Sequence, residues 1–462
     1  MQELRARFEA AGQGHLFQGL ETLSPGDQDR FWSQLSQVDL DLVALHASLL
    51  KQSAAASAPG RFEPPDTFPA SPGPEQAPAA EAALETGAEL LRAGKVGYVL
   101  VAGGQGSRLG FDGPKGIYPV GPLSRKSLFG WHAARLKAAA ARYGCPVPWF
   151  IMTSAGNDAA TREFFARQQH FGLPPDSIFF FEQAVIPALD GDGRIVRAAP
   201  GELFLAPNGH GGTLDALRRS GALDRCQALG IETLSYFQVD NPLARPADPL
   251  FLGLHKQSGA GMSSKVVAKT EPGEKVGVLG KVDGVLGCIE YSDLPADLRD
   301  ARAGDGGLVF RAGNIAVHAL QVDFVARLTE SGLNLPWHLA RKAMPGLDAA
   351  GQPSTVQGIK FETFIFDALA ASPGSVTLEV RREEEFSPVK NAEGSDSPAS
   401  CREHMTGLFA SWADAAGFPQ VPRDAAGVPL LEVDPVFAED AAEFQARMPQ
   451  DPIVHGGGWW FR

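Results

Sequence analysis

Arg108 and Lys115 stand seven residues apart in the stretch VLVAGGQGSRLGFDGPKGIYPVG, residues 99–121. The stretch opens as an apolar β-type run and passes into a glycine-dense loop before it delivers the two cations. Glycines let main-chain N–H groups approach phosphate oxygens closely, and paired cations neutralise the charge those oxygens carry. That is the local chemistry of a nucleoside triphosphate site. Two commoner phosphate loops are excluded by spacing. A dinucleotide fingerprint G-x-G-x-x-G beginning at Gly104 and Gly106 would need a glycine where Leu109 stands. A P-loop would need a glycine directly before Lys-Ser or Lys-Thr, and this loop has none in that register.

Further downstream, Asp240 follows the strand-like run LSYFQV at 234–239 and precedes Asn241-Pro242. In open α/β sheets ligands bind beyond the carboxyl ends of strands, so a carboxylate there can hold Mg²⁺ bridging nucleotide phosphates. On its own, Val-Asp-Asn reads as a strand-ending cap; the glycine loop upstream favours the metal reading. A second glycine loop, APNGHGG at 206–212, offers a main-chain edge to a base or a sugar. Four more segments carry polar or aromatic candidates: Glu290-Tyr291, Asn314 in FRAGNIAVH, Phe364 and Phe366 in GIKFETFIFD, and Lys390 in EEEFSPVKNAEG. By pattern alone Phe364 and Phe366 read as core and Lys390 as a solvated charge.

The elements that would position these groups alternate. Strands are predicted at 97–102, 147–153, 177–181 and 234–239, and helices at 127–143 and 158–170. That rhythm predicts an α/β fold, a mostly parallel doubly wound sheet with helices on both faces. Residues 1–52 read as helices, with Ser24-Pro25 and Asp27 marking one start. Residues 53–78, with seven prolines, read as a loose tether, and a short helix over 79–94 leads into the first strand. Residues 264–291 read as antiparallel hairpins, with turn signals at Pro272-Gly273 and Asp283-Gly284. Beyond residue 393 the rhythm is lost. The expected division is therefore a helical region with its linker at 1–94, a catalytic domain at 95–392 and a small C-terminal region at 393–462.

The net charge of −13 argues against a broad nucleic-acid surface. An acidic protein that handles polyphosphates must concentrate its cations, and residues 95–130 do so: Lys95, Arg108, Lys115, Arg125 and Lys126 face only Asp112. Cys145, Cys226, Cys288 and Cys401 form no C-x-x-C pair, which fits a reducing compartment and gives no sign of structural zinc. MQELRARFEA lacks the apolar core of a secretory signal, and no apolar run is long enough to span a bilayer, so the expected setting is cytoplasmic, without a membrane partner.

Taken in order, these segments resemble the UDP-sugar pyrophosphorylases (UDPGP type 1), closest to the UDP-N-acetylglucosamine branch. The ordered set is the glycine loop, Met152-Thr153-Ser154, Gln183 before Pro187, APNGHGG, Val239-Asp240-Asn241, Glu290-Tyr291, Gly313-Asn314, Gly358-Ile359-Lys360, and Phe386-Ser387-Pro388 with Lys390. The resemblance also touches Gly12-Gln13-Gly14-His15-Leu16 and spans roughly residues 10–415. It implies a nucleotidyltransferase core (Rossmann-like, of the GT-A kind). The implied reaction joins UTP and a hexose 1-phosphate into a UDP-sugar and pyrophosphate, with Mg²⁺ as cofactor. It also implies site residues. Arg108, Lys115 and Lys390 would handle the phosphates and Asp240 the metal. Gly103, Gly104 and Gln183 would read the uridine, with Gly209 serving the nucleotide and the edge of the sugar pocket. His210, Glu290, Asn314, Lys360, Phe364 and Phe366 would line the sugar. His210 stands where the N-acetylglucosamine enzymes carry Asn, which leaves glucose 1-phosphate or a wider set of sugar phosphates open. The C-terminal tail departs from the family, and a monomer or weak homo-oligomer is expected.

Overall fold

Residues 1–52, 60–348, 351–418, 420–448 and 451–462 are described by a computed structural model of the chain. Eight strands run through its central sheet: Thr67–Phe68 (β1), Val96–Val101 (β2), Trp149–Thr153 (β3), Ile178–Glu182 (β4), Thr233–Gln238 (β5), Met262–Ala268 (β6), Ala312–Gln321 (β7) and Thr377–Val380 (β8). Their spatial order is β1-β8-β6-β7-β5-β2-β3-β4. Along this path every neighbouring pair is parallel except those of β7 with β5 and β6. The mostly parallel sheet expected from alternation is therefore present. Its central strands are apolar on both faces because both faces are covered. Each residue of β3, and all but the last of β2 and β5, is buried.

Several boundaries differ for local physical reasons. The helix expected over 158–170 is Asp158–Arg167, because Gln169, His170 and Phe171 all adopt positive φ and cannot continue it. The helix before β2 runs over Ala77–Arg92 and is not short. Residues 264–268 are not hairpin; they lie in β6, inside the central sheet. The hairpin of that region is Val278–Val282 with Val285–Ile289, turned by Asp283 (φ 51°) and Gly284 (φ 81°) as the Asp-Gly signal predicts. Part of the expected tether lies at 53–59, outside the described residues. Of the rest, Phe62–Glu63 and Thr67–Phe68 are tied into the sheet, so that part is no loose tether.

In space the chain forms two units, and their boundaries cross the three consecutive segments expected from sequence. The larger holds 61–182, 213–334 and 366–462; the smaller holds 1–60, 183–212 and 335–365. In the larger unit, the helix Leu128–Tyr143 buries Leu128, Phe129, Trp131, His132 and Leu136 against the sheet. Ser127 caps its start by accepting from the Gly130 amide. The C-terminal residues join the same core. Phe409 and Trp412 of the helix Pro398–Ala415 are buried in it, as are Leu431, Phe444 and Phe461. No helix among the described residues is long and apolar enough to cross a membrane.

The smaller unit packs its N-terminal helices (Gln2–Ala10, Pro25–Ser36 and Leu40–Gln52) through Phe8, Phe31, Leu35 and Val43, with Phe17 of the short turn Gly14–Phe17, into one core with Ile186, Leu189, Ile359 and Phe361. Ser24 caps the second helix by accepting from Asp27, as its sequence predicts. A hairpin of two ten-residue strands, His338–Leu347 with Pro353–Glu362, supplies the floor. Buried Gln13 staples the helices to a distant loop, donating to Gly193 O and accepting from Ile195 N–H.

Candidate functional site

In the larger unit the glycine loop leaves the carboxyl end of β2. Two side chains of the next strand–helix turn, Ser154 and Asn157, brace it, and its own Gln105 reaches across to that turn. Ser154 Oγ donates to Gly103 O at 2.9 Å, and Gln105 Nε2 donates to Gly156 O at 3.0 Å. Asn157, 1% exposed, donates to Ala102 O at 2.9 Å and Gly104 O at 3.3 Å. The Lys115 amide closes the loop onto Gly104 O. Gly104 is exposed, with nothing within 4 Å of where a Cβ would stand, so its face is open to a ligand. Arg108 sits exposed on the short turn Ser107–Leu109. Lys115 begins a second turn, Lys115–Ile117, seated on the Phe129 ring. There Gly116 is required by space, since a Cβ would come within 2.2 Å of that ring.

The Lys115 ammonium faces Asp240 at 3.6 Å, and both side chains are mostly shielded from water. Asp240 lies two residues past β5, the parallel neighbour of β2. Beneath it, buried His132 donates from Nε2 to Val239 O at 3.0 Å. Burial disfavours the charged ring and lowers the His132 pKa to about 4, so it donates as a neutral imidazole. Lys390 comes to this strand end through the main chain: the amide of Val389 donates to Asp240 O at 2.8 Å. The ammonium of Lys390 lies 3.6 Å from Asp396 and 5.5 Å from the centre of the Phe386 ring. Asp396 holds φ at 55°, and its carbonyl accepts from the amides of Lys390 and Asn391.

Glu290 and Asn314 meet around Cys288. Asn314 Nδ2 lies 3.9 Å from the Cys288 sulfur, and a Cβ on Gly277 would touch both Cys288 and Glu290. Burial pushes the Cys288 thiol far above its usual range, so it stays protonated and unreactive. Asn314 Oδ1 also accepts from Ala316, whose φ of 54° marks a kink in β7. Phe366 is buried in the larger unit.

Gln183, Gly209, His210, Lys360 and Phe364 belong to the smaller unit. Gln183 Nε2 donates to Gly209 O at 2.6 Å. Gly209 has φ of 83°, and a Cβ there would come within 2.3 Å of Thr363 O; only glycine fits. Gly211 N–H donates to Thr363 O and Thr363 N–H to Asn208 O, so the second glycine loop is laced to the strand end at 362–365. His210 Nδ1 accepts from the Ile365 amide at 3.1 Å, and its ring stacks on Phe364 at 5.2 Å. His338 stacks on Phe364 as well, at 4.3 Å. Lys360 sits over the Phe204 ring at 5.3 Å.

Sequence reasoning missed Asn157, His132 and Lys265, and it gave Asn241 no role although the motif set included it. Asn157 follows the Ser154 that the motif set included, and its Oδ1 reaches back to accept from that residue's amide, as the third residue of a capping box does. His132 and Lys265 carried no signal, because a buried polar partner is set by tertiary packing.

A divalent cation can be tested against these residues. Among those described, no group of three or more His, Cys, Asp and Glu is placed to hold one. Asp240 stands as a single carboxylate opposite Lys115. Mg²⁺ is commonly held by one or two carboxylates with substrate phosphates and water completing its shell. The residues therefore fit a metal that arrives with polyphosphate, and Asp240 would be its protein ligand.

A braced glycine loop after a central strand of an open parallel sheet, with a carboxylate at the end of the adjacent strand, defines the nucleotidyltransferase type of α/β protein. The sequence model of the UTP–glucose-1-phosphate uridylyltransferase family matches residues 74–455. This chain belongs to that family. It is 34% identical to the human UDP-N-acetylhexosamine pyrophosphorylase-like protein 1, over 98% of this chain and 96% of that one. It is 33% identical to the UDP-N-acetylglucosamine pyrophosphorylase of Saccharomyces cerevisiae, over 97% and 98%. Among solved structures it resembles the uridine diphosphate N-acetylglucosamine pyrophosphorylase of Trypanosoma brucei, with a TM-score of 0.82, 27% identity, and 99% and 97% of the two chains covered. A UDP-glucose pyrophosphorylase of Leishmania major, 17% identical with a TM-score of 0.63, shares the fold.

Proposed function

We propose that this protein is a uridylyltransferase that forms UDP-N-acetylglucosamine and pyrophosphate from UTP and N-acetylglucosamine 1-phosphate. The names of its relatives support that substrate pair. The observation that carries the reading is the convergence of Lys115, Asp240 and the Lys390-bearing loop at the end of β5.

The sugar phosphate oxygen attacks the α-phosphorus of UTP in line, the bond to the β-phosphate oxygen breaks, and pyrophosphate leaves with the electron pair. Such a transfer asks the protein for position and charge compensation rather than covalent work. Arg108 and Lys115 bind the triphosphate and then the leaving pyrophosphate. Lys390 offsets charge shared between the attacking phosphate and the α-phosphate; a compact ammonium suits that task. Gly103 and Gly104 present loop main chain to the uridine. Mg²⁺ held by Asp240 would screen the phosphate oxygens. His210, Glu290, Asn314, Lys360, Phe364 and Phe366 serve the sugar.

His210 favours keeping a second reading, glucose 1-phosphate or a broader sugar range. An imidazole stacked on Phe364 offers a ring N–H where an amide would offer both a donor and an acceptor. The protein works in the cytoplasm as a monomer or weak homo-oligomer, without nucleic acid or membrane; its net charge of −13 and four free thiols support that setting. Pyrophosphate release from UTP against a panel of sugar 1-phosphates tests the function. Highest turnover with N-acetylglucosamine 1-phosphate is expected. Preference for glucose 1-phosphate would move the assignment to the second reading, and no release with any sugar would end it.

A further inference from the structure

We infer that Asn241 is a positioning residue that sets Lys390 in register with Asp240. The inference rests on the role given to Lys390 above. Asn241 is 3% exposed, so it touches the reaction only through its neighbours. Its Nδ2 donates to Glu385 O at 2.7 Å, and its Oδ1 accepts from the Ser387 amide at 3.1 Å. Two residues on, the Val389 amide donates to Asp240 O at 2.8 Å. The segment from Glu385 to Val389 is thus fastened to residues 240 and 241 at three points, and Lys390 is the next residue.

Other bonds hold the segment elsewhere, Ser387 to His404 and Cys401 and the Lys390 amide to Asp396 O, whereas the Asn241 amide ties it to the residue beside Asp240. Residues 386–390 belong to no strand or helix. The Asn241 amide replaces a sheet ladder with one side chain. Only Asn among side chains of this length supplies a donor and an acceptor on one rigid plane. Aspartate would lack the donor, and leucine would lack both. The far end is anchored as well: the Glu385 carboxylate accepts from buried Lys265 at 2.6 Å. A charge-stabilising ammonium contributes in proportion to how well it is fixed before reaction, so slack in this segment should appear in turnover more than in substrate binding.

A double-mutant cycle tests this. Turnover and KM for UTP are measured by pyrophosphate release for the wild type, Asn241→Ala, Lys390→Ala and the double variant, with the sugar phosphate that the panel selects. Thermal midpoints are recorded beside them. Asn241→Ala is expected to lower kcat about tenfold or more, with KM for UTP changed less than about threefold, and Lys390→Ala about a hundredfold. In the Lys390→Ala background the asparagine change should cost no more than about a further threefold, because its effect runs through a group already removed. Asn241→Ser, which keeps a short donor and acceptor, replaces the alanine variant if that variant does not fold. Multiplicative losses, or wild-type kcat in Asn241→Ala, would overturn the inference while leaving the Lys390 assignment intact. Wild-type kcat in Lys390→Ala would bring down that assignment and the inference together.

Discussion

Lys265→Met removes a cation that touches two carboxylates, Asp248 and Glu385. The Lys265 side chain is fully buried, with its ammonium 2.7 Å from Asp248 and 2.6 Å from Glu385. Burial alone would lower its pKa, but the two carboxylates outweigh that and raise it. Burial alone would raise the Asp248 carboxyl, and Lys265 with Arg245 holds it below its usual range instead. Methionine is unbranched and only one heavy atom shorter than lysine, so it keeps most of the packing and the change chiefly removes the charge. Removing one partner of a buried pair costs about 3–5 kcal/mol, because the other charge stays behind without compensation. An unfolding entropy of about 2.1 cal/mol/K per residue, taken over the larger unit of about 340 residues, comes to about 0.7 kcal/mol/K. The expected fall in Tm at pH 7.5 is therefore about 4–7 °C. The pH dependence gives a second readout. In the wild type, the depressed Asp248 contributes stability above the ordinary carboxylate range and loses it on acidification, while the raised lysine contributes at any pH below its usual value. In the variant, burial that Lys265 no longer offsets raises the Asp248 carboxyl, so the native state takes up a proton as pH falls. The gap between the two proteins should narrow from pH 7.5 to pH 5. Scanning calorimetry at both values measures it. A gap below about 1 °C at pH 7.5, or one that does not narrow at pH 5, would refute the reasoning.

Lys115→Ala should lower turnover about a hundredfold, the usual loss for one preorganised stabilising group; pyrophosphate release measures it, and near-normal turnover would remove Lys115 from the phosphate site. Excess chelator should abolish activity and added Mg²⁺ restore it; full activity in chelator would remove the metal role of Asp240. Burial holds His46, His132 and His255 to about 4, well below the ordinary histidine value of 6.5. Their neutral forms contribute stability that is present above 6.5 and lost as pH falls toward 4, so the wild-type Tm should drop by several degrees across that window, and a flat profile from pH 7 to 4.5 would contradict it.

The glycine loop, β5 with Asp240, and the Ser24 and Asp283-Gly284 signals were legible because each is a local pattern: an apolar run, a glycine cluster, a cap, a turn. The shape of the smaller unit was not. Gln13 binds a loop 180 residues away, and no periodicity announces such a partner. The same holds for Lys265. A lysine in a β-branched run reads as a surface residue until Asp248 and Glu385 are seen beside it. Met262–Ala268 was misread because Pro272-Gly273 follows closely and suggested a hairpin, whereas β6 pairs with strands about 50 and 110 residues away in sequence. The clustering of Glu290 with Asn314 came from family order, and its physical basis, the kink at Ala316, lies in backbone geometry that residue types do not encode.

The smaller unit draws on three separate stretches of chain, the last ending at Ile365. A ribosome delivers the first of them long before the others. Phe8, Phe17 and Phe31 therefore emerge with Ile359 and Phe361 still unmade, and their greasy faces must wait through some three hundred further peptide bonds. Such non-local closure slows folding and leaves sticky surface uncovered in the interval. Synthesis of this enzyme is thus exposed to clumping at its earliest-made helices, and a holdase that shields them should raise its soluble yield.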